Sequence, residues 1–173
     1  RLSSAQRSDA LFGQDTDQDS YAGYAGNVAW MAWKYLGEKT VLASFHSENL
    51  PAKWLPPSGN YMHDDLWEPR DVVIVEGVSK LPQYAYSKRV IFVDKEAWVI
   101  PYSDIYDQAG ELWKVWVNLY RMRKAPFDGA PEEPDTMPWL PSIFMVDIQL
   151  DHGTRAVQLL VAEVARDHDL EGD

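Results

Sequence analysis

The clearest metal-binding spacing in the sequence belongs to Asp15, Asp17 and Asp19, in the run DTDQDS. Alternating aspartates open the calcium loop of an EF-hand, whose sixth residue is glycine and whose twelfth is a bidentate glutamate. Here Ser20 and Gly26 occupy those two positions. The run therefore predicts a solvated acidic loop with at most weak calcium affinity.

A second group of possible metal ligands is His63 with Asp64 and Asp65, in the run MHDD. A structural zinc site needs about four ligands, and the other histidines with available nitrogens, His46 and His152, lie far away in sequence. A loop histidine beside acidic residues is usually solvated. We therefore expect no metal site here.

Patterns for a catalytic nucleophile or a phosphate-binding loop are missing from the sequence. There is no Gly-x-Ser-x-Gly elbow, and YAGYAG (residues 21–26) lacks both the lysine and the following helix of a phosphate loop. Acidic residues are so numerous that spacing singles out no catalytic pair. We expect neither enzymatic activity nor a cofactor.

Charge and composition narrow the class of protein further. The net charge of −11 argues against nucleic-acid binding, which needs positive charge to displace counterions. No stretch is long and apolar enough to span a membrane as a helix, and residues 1–173 suffice for a single domain. The chain starts at Arg1 without a signal-peptide pattern, and we expect that a segment precedes it.

β-branched and aromatic runs separated by turn-forming residues predict an antiparallel β protein with long loops. Residues 28–46 are typical of a hairpin around Gly37, and residues 70–78 and 142–150 of single strands. Residues 86–120 are typical of three consecutive strands.

Turns and loops separate these strands. Residues 94–97 and 107–110 have the composition of tight turns. The proline-rich residues 47–66 and 124–141 predict surface loops. Residues 156–173 are compatible with a strand or with a short helix before an acidic tail.

The two tight turns decide which side chains share a face. Two-residue turns would place Tyr102 opposite Arg89 on one side and opposite Val115 on the other. The resulting face is almost wholly apolar, and its members besides Arg89 are Ile91, Val93, Trp98, Ile100, Tyr102, Trp113, Val115, Val117 and Leu119. Such a dry face must be covered by a second sheet, a helix or a bound apolar molecule.

Arg89 is the one basic residue on this predicted dry face. A buried guanidinium needs a partner, and Asp104, diagonally across the same face, is the expected one in a structural ion pair. The alternative is that Arg89 anchors a carboxylate or phosphate head group at the mouth of an apolar cavity.

Two long segments resemble a known bacterial family. They are WKYLGEKTVLASFHS (residues 33–47) and YSKRVIFVDKEAWVIPYSDIYDQAGELWKVW (residues 86–116), and VDIQLDHGTRA (residues 146–156) resembles the closing segment of the same family. Its members are described as outer-membrane lipoprotein-sorting-like proteins, and their fold is that of the LolA/LolB lipoprotein carriers. The resemblance covers residues 9–155.

The resemblance implies a curved antiparallel sheet that forms part of an incomplete LolA/LolB-like barrel. It implies that this chain is the C-terminal part of a longer protein with a signal peptide, located in the periplasm or at the periplasmic face of the outer membrane of a Gram-negative bacterium. The implied ligand is a lipid or another hydrophobic molecule, and the implied partners are outer-membrane or pump proteins.

The first hypothesis is therefore a carrier that serves outer-membrane lipid or lipoprotein transport. The nine apolar residues would form its cavity wall, and Arg89 would anchor a head group. Two alternatives stay open: an assembly partner in an envelope complex, which binds through a mixed opposite face containing Trp116 and Tyr120, and a carbohydrate-binding module that uses exposed aromatic residues as stacking platforms.

Overall fold

The structure is a computed structural model, and it describes residues 7–10, 13–49, 51–55, 62–122 and 138–157. Within these residues, seven antiparallel strands form one sheet in which each strand pairs with its neighbours in sequence. The strands are β1 (Met31–Ala43), β2 (Glu68–Ser79), β3 (Lys88–Asp94), β4 (Tyr102–Tyr106), β5 (Leu112–Met122), β6 (Pro138–Asp147) and β7 (His152–Val157), and two short 3₁₀ helices, Gln18–Gly23 and Val28–Trp30, precede them. The predicted mainly-β, antiparallel fold is confirmed, and the described strands do not close into a barrel.

The predicted hairpin around Gly37 is wrong, because β1 continues through this residue. Tyr35 pairs with Val75 and Gly37 with Ile74, which leaves Leu36 as the extra residue of a β-bulge. Gly37 has a φ of 143°, which favours glycine. Since both halves of the segment pair with the same strand, the glycine bends the strand instead of reversing it.

The other predicted strands are largely confirmed. β2 contains its predicted strand, and β6 covers most of residues 142–150, ending before a turn at residues 148–151. The loop prediction is wrong for residues 138–141, which belong to β6, while residues 123–137 lie outside the described part of the chain. The first two residues of the predicted tail, 156 and 157, belong to β7. Residues 158–173 lie outside the described part of the chain.

Residues 44–47 carry the chain from the end of β1 to β5. The Tyr120 N–H donates to the Ser44 carbonyl (2.9 Å), and the Ser47 N–H donates to the Tyr120 carbonyl (3.1 Å). Three strands stand between β1 and β5 in the sheet order. The sheet must therefore curl to bring them together.

Two side chains show which face is on the inside of this curl. The Arg70 guanidinium lies 4.3 Å from the Phe45 ring, and the Tyr102 hydroxyl donates to the Leu42 carbonyl. Cross-strand partners share a face, so the residues in register with Arg70 and Tyr102 form the inner face. These residues are Val72, Ile74, Glu76, Lys88, Val90, Phe92, Asp94, Asp104, Tyr106, Val115, Val117, Leu119, Ser142, Phe144 and Val146.

The opposite, outer face carries a larger buried cluster. Its members are Tyr84, Tyr86, Ile105, Trp116, Ile143 and Met145, with Trp113 packed against them. Residues 13–30, which we call the cover segment, contact this face. At Gly23, with a φ of 91°, a Cβ would lie 2.5 Å from Ile100 Cγ2, so only glycine allows the backbone to approach this closely.

Candidate functional site

The strand register at the predicted site differs from the expected one. Tyr102 lies opposite Phe92 instead of Arg89, a shift of three residues, and opposite Val117 instead of Val115. The turn after β3 is longer than two residues. The Asp94 carboxylate stabilises it by accepting hydrogen bonds from the backbone N–H groups of Glu96 (3.0 Å) and Ala97 (2.7 Å). A shift by an odd number of residues turns β4 over relative to β3.

The prediction that the nine apolar residues and Arg89 share one face is therefore wrong. Tyr102, Val115, Val117 and Leu119 lie on the inner face, Arg89, Ile91 and Val93 lie on the outer face, Trp113 packs with the outer cluster, and Trp98 and Ile100 lie in the segment before β4. Ligand binding by any of them stays a prediction.

Trp98 lies in the segment between β3 and β4. It has a φ of 56°, its N–H donates to the Asp94 carbonyl (3.1 Å), and its side chain is 75% exposed. A positive φ is costly for a bulky residue. The hydrogen-bonded turn holds Trp98 in this conformation, and the prediction that it forms part of a cavity wall finds no support in its position.

Arg89 is fully buried and faces the cover segment. Its Nη1 donates to Ser20 Oγ (2.9 Å), its Nη2 donates to the Tyr84 hydroxyl (3.1 Å), and Nη2 lies 3.7 Å from Asp17 Oδ1. The predicted partner Asp104 is wrong, since it lies on the inner face. The contacts support a structural ion pair and leave the guanidinium enclosed by the protein's own side chains.

The three aspartates of the DTDQDS run supply much of this network. The prediction that they are solvated is wrong, because Asp15, Asp17 and Asp19 are all buried. Asp17 Oδ2 accepts from the Tyr86 hydroxyl (2.5 Å), and Asp15 Oδ2 accepts from Thr154 Oγ1 (2.8 Å). In the part of the chain that the structure describes, no cluster of three or more His, Asp or Glu side chains is arranged to hold a metal ion.

Burial shifts the pKa values of several groups in the outer-face network. Burial raises the pKa of Tyr84 and of Tyr86 well above the ordinary value, so both phenols stay hydrogen-bond donors at neutral pH. Burial also lowers the pKa of Lys114, whose Nζ donates to the Asp15 carbonyl (2.7 Å). These groups tie the cover segment to β3 and β5.

The two aromatic residues that the sequence offered for binding on the mixed face, Trp116 and Tyr120, are both buried. Trp116 is 0% exposed, and its Nε1 donates to Asn118 Oδ1 (2.6 Å). Tyr120 is buried and donates its hydroxyl to the Ile100 carbonyl (3.1 Å). Neither aromatic ring is available as a protein-binding surface or as a carbohydrate-stacking platform.

The inner face differs, because its centre is apolar and only half-buried. Ile74, Phe92, Tyr102 and Val115 belong to four adjacent strands and each keeps part of its surface exposed. The Phe92 and Tyr102 rings meet edge to face with their centroids 6.1 Å apart. These four residues form a continuous apolar surface across the middle of the inner face.

One side of the inner face is closed by the loop before β2. His63 is 1% exposed, stacks on Trp54 with ring centroids 4.3 Å apart, and places Nε2 3.1 Å from Ser142 Oγ. Phe144 packs against the same imidazole at 5.1 Å. Burial lowers the pKa of His63 to about 4, so it is neutral at pH 7, and its predicted location in a solvated loop is wrong.

Sequence reasoning missed Ile74, Val90, Phe92 and Asp104 as members of one surface. Alternation along each strand is visible in the sequence, but both faces of β3 and β5 carry apolar residues. No local signal therefore distinguishes the face that is covered from the face that stays accessible.

Comparison with known proteins places this geometry among related folds. Residues 1–168 match the family described as protein of unknown function DUF1329, and no curated protein matches the chain. A candidate outer-membrane lipoprotein-sorting protein domain from Vibrio parahaemolyticus has the same fold, with a TM-score of 0.56, 15% identity, and coverage of 97% of this chain and 59% of that one.

A DUF1329 family protein from Desulfovibrio piger ATCC 29098 also matches, with a TM-score of 0.52, 14% identity, and coverage of 96% of this chain and 57% of that one. A LolA superfamily protein from Nitrosomonas europaea, NE2245, reaches 0.49 at 15% identity, with coverage of 95% and 59%. The chain thus spans less than two thirds of the length of these structures.

The helices that the structure describes are short, and none of them has the length and apolar character needed to cross a lipid bilayer.

Proposed function

The chain belongs to the DUF1329 family, and we propose that it carries a lipid or another hydrophobic molecule on the inner face of its curved sheet. The observation that carries this proposal is the half-buried apolar centre of that face, formed by Ile74, Phe92, Tyr102 and Val115. On the outer face, by contrast, the chain's own cover segment contacts the buried residues Tyr86, Arg89 and Trp116.

Burial of apolar area would drive binding. Each square ångström of apolar surface removed from water contributes about 25 cal/mol before the cost of ordering the ligand. The face combines apolar side chains with a few polar ones, which is the composition typical of small-molecule sites. Loading and release require only that the ligand gain and lose access to the face, and the proposal includes no catalytic step.

We place the carrier in the periplasm or at the periplasmic face of the outer membrane, serving lipid or lipoprotein transport. Support comes from the fold it shares with the Vibrio parahaemolyticus structure, which is described as a candidate outer-membrane lipoprotein-sorting domain. Outer-membrane or pump proteins would then deliver or receive the cargo.

Decanol is a suitable neutral probe, and isothermal titration calorimetry measures its binding. A Glu at position 74 would put a charge in the centre of the inner face, so we expect Ile74→Glu to weaken decanol binding at least about tenfold. The matched control is Tyr35→Glu, because Tyr35 lies on the neighbouring strand β1, in register with Val75 of the outer face, and is 62% exposed.

Equal decanol affinity in Ile74→Glu and the wild type would place the ligand somewhere other than the inner face. Circular dichroism must show that both variants keep the β fold. Native mass spectrometry of the wild-type protein gives an independent test, since a carrier should co-purify with lipid and lose it on extraction with organic solvent.

A further inference from the structure

The inner face contains a carboxylate for which the described residues provide no partner. Asp104 lies in β4 between Val90 of β3 and Val115 of β5, and is half-buried. Within the described ranges, its carboxylate makes neither a hydrogen bond nor an ion pair. Burial raises the pKa of Asp104 above its ordinary value, with no charged partner to offset it.

The other acidic groups of this face are neutralised by the protein itself. Asp94 receives the Arg70 guanidinium through two hydrogen bonds of 2.9 Å. Glu76 receives Lys88 Nζ at 3.1 Å. Asp104 is thus the exception among the inner-face carboxylates of the described strands.

The nearest cation on this face is already engaged. Lys88 pairs with Glu76 and lies 4.6 Å from the ring of Tyr106, on the far side of Val90 from the centre of the face. Among the described residues of this end of the face, the charges beside Asp104 are one ammonium and one other carboxylate, which together leave it negative. A negatively charged surface of this kind favours a positively charged ligand group and disfavours an anionic one.

We propose that Asp104 anchors the cationic group, such as an ammonium, of an amphiphile whose apolar chain lies across Phe92, Tyr102 and Val115. This inference rests on the proposed function and names the class of its ligand. A carboxylate beside an apolar surface gives orientation as well as affinity, because a charge-assisted hydrogen bond fixes the head while the chain contributes buried area. The ligand's ammonium would pair with the Asp104 carboxylate as the Arg70 guanidinium pairs with the Asp94 carboxylate.

Three probes with the same chain length separate head-group recognition from chain binding: decylammonium, decanol and decanoate. Calorimetry at pH 7.5 should rank decylammonium at least about tenfold tighter than decanol, with decanoate weakest. In Asp104→Asn, which keeps the shape and removes the charge, decylammonium should fall to the affinity of decanol. The control Asp71→Asn removes one exposed carboxylate from β2 and should change none of the three.

A second measurement does not depend on any variant. In the wild-type protein, decylammonium binding should weaken as the pH falls through the raised pKa of Asp104, because the anchor becomes neutral, while decanol binding stays constant. Glu76, Lys88 and Tyr106 are the other titratable groups of the described residues on this part of the face, and burial raises the pKa of Tyr106, which keeps its proton over that range.

The outcomes distinguish the two proposals. Failure of all three probes to bind would overturn the carrier function itself. Binding of decanol with no preference for decylammonium, or an unchanged preference in Asp104→Asn, would overturn the cationic anchor and leave the carrier function standing. Tighter binding of decanoate would also overturn the anchor.

Discussion

The two faces of the sheet differ in which side chains line them and in how those side chains are covered. The cover segment closes part of the outer face and brings buried aspartates into contact with Arg89, Lys114 and two tyrosines. The inner face is lined mainly by aliphatic and aromatic side chains that stay half-buried at their centre. Polar contacts therefore fix the structure on one face, and apolar surface stays accessible on the other.

This difference indicates a division of roles. A buried charge network tolerates little rearrangement, since every member loses a partner when one of them moves. An apolar surface makes no directional demand and can accept ligands of varying shape. The outer face is thus suited to stability and the inner face to binding, and each of the following predictions tests one side of this contrast.

The largest effect is expected on the outer face. Replacing Arg89 with Met would leave Asp17 buried without a cation, so we expect a loss of about 3–5 kcal/mol in the free energy of unfolding. Urea denaturation followed by circular dichroism measures it. The matched control is Lys88→Met, one position away on the inner face, where a partly exposed pair with Glu76 should cost no more than about 1 kcal/mol.

Similar losses in the two variants would contradict the contrast between the faces. They would show that the guanidinium contacts with Ser20, Tyr84 and Asp17 contribute no more than a surface ion pair does.

An intermediate effect is expected at the closed side of the inner face, and it should depend on pH. The folded-state pKa of His63, about 4, is lower than its ordinary value of 6.5, so the neutral imidazole is favoured by folding. The contribution of neutral His63 to the free energy of unfolding is therefore complete above about pH 6.5. It declines as the pH falls toward 4, by a total on the order of 3 kcal/mol.

His63→Phe keeps a ring against Trp54 and Phe144 but cannot take up a proton. The wild-type protein should therefore lose stability more steeply than this variant between pH 6.5 and pH 4, as measured by urea titrations at several pH values. His46→Phe, which replaces an exposed histidine that pairs with Glu68, serves as the control for loss of an imidazole away from Trp54 and Phe144. Parallel curves for the wild type and His63→Phe would contradict a buried neutral histidine.

The smallest effect is expected at Trp98, outside both faces. The side chain of Trp98 is exposed, so Trp98→Gly should change the free energy of unfolding by no more than about 1 kcal/mol. We expect the change to be an increase, because glycine adopts a positive φ without strain. Decanol affinity should stay at the wild-type value. A loss of binding in this variant would return Trp98 to the ligand site that its sequence pattern predicted.

The turns show where the reasoning from sequence failed. Both were located correctly, but the hydrogen bonds of the Asp94 side chain lengthen the first, and a bulge between β4 and β5 shifts the second pairing. The conformation of these few residues determined the register of the strands that follow. Since register decides the face, a correct set of strands still produced a wrong set of neighbours.

The sequence by itself determined the antiparallel β architecture, most strand positions and the family, because alternation, turn residues and long motifs are local properties. Only the tertiary structure decided which face is sealed. The contacts of the cover segment are distant in sequence: 69 positions separate Ser20 from Arg89, and 139 separate Asp15 from Thr154. With apolar residues on both sides of the central strands, only those distant contacts distinguish a core from a surface left available to a ligand.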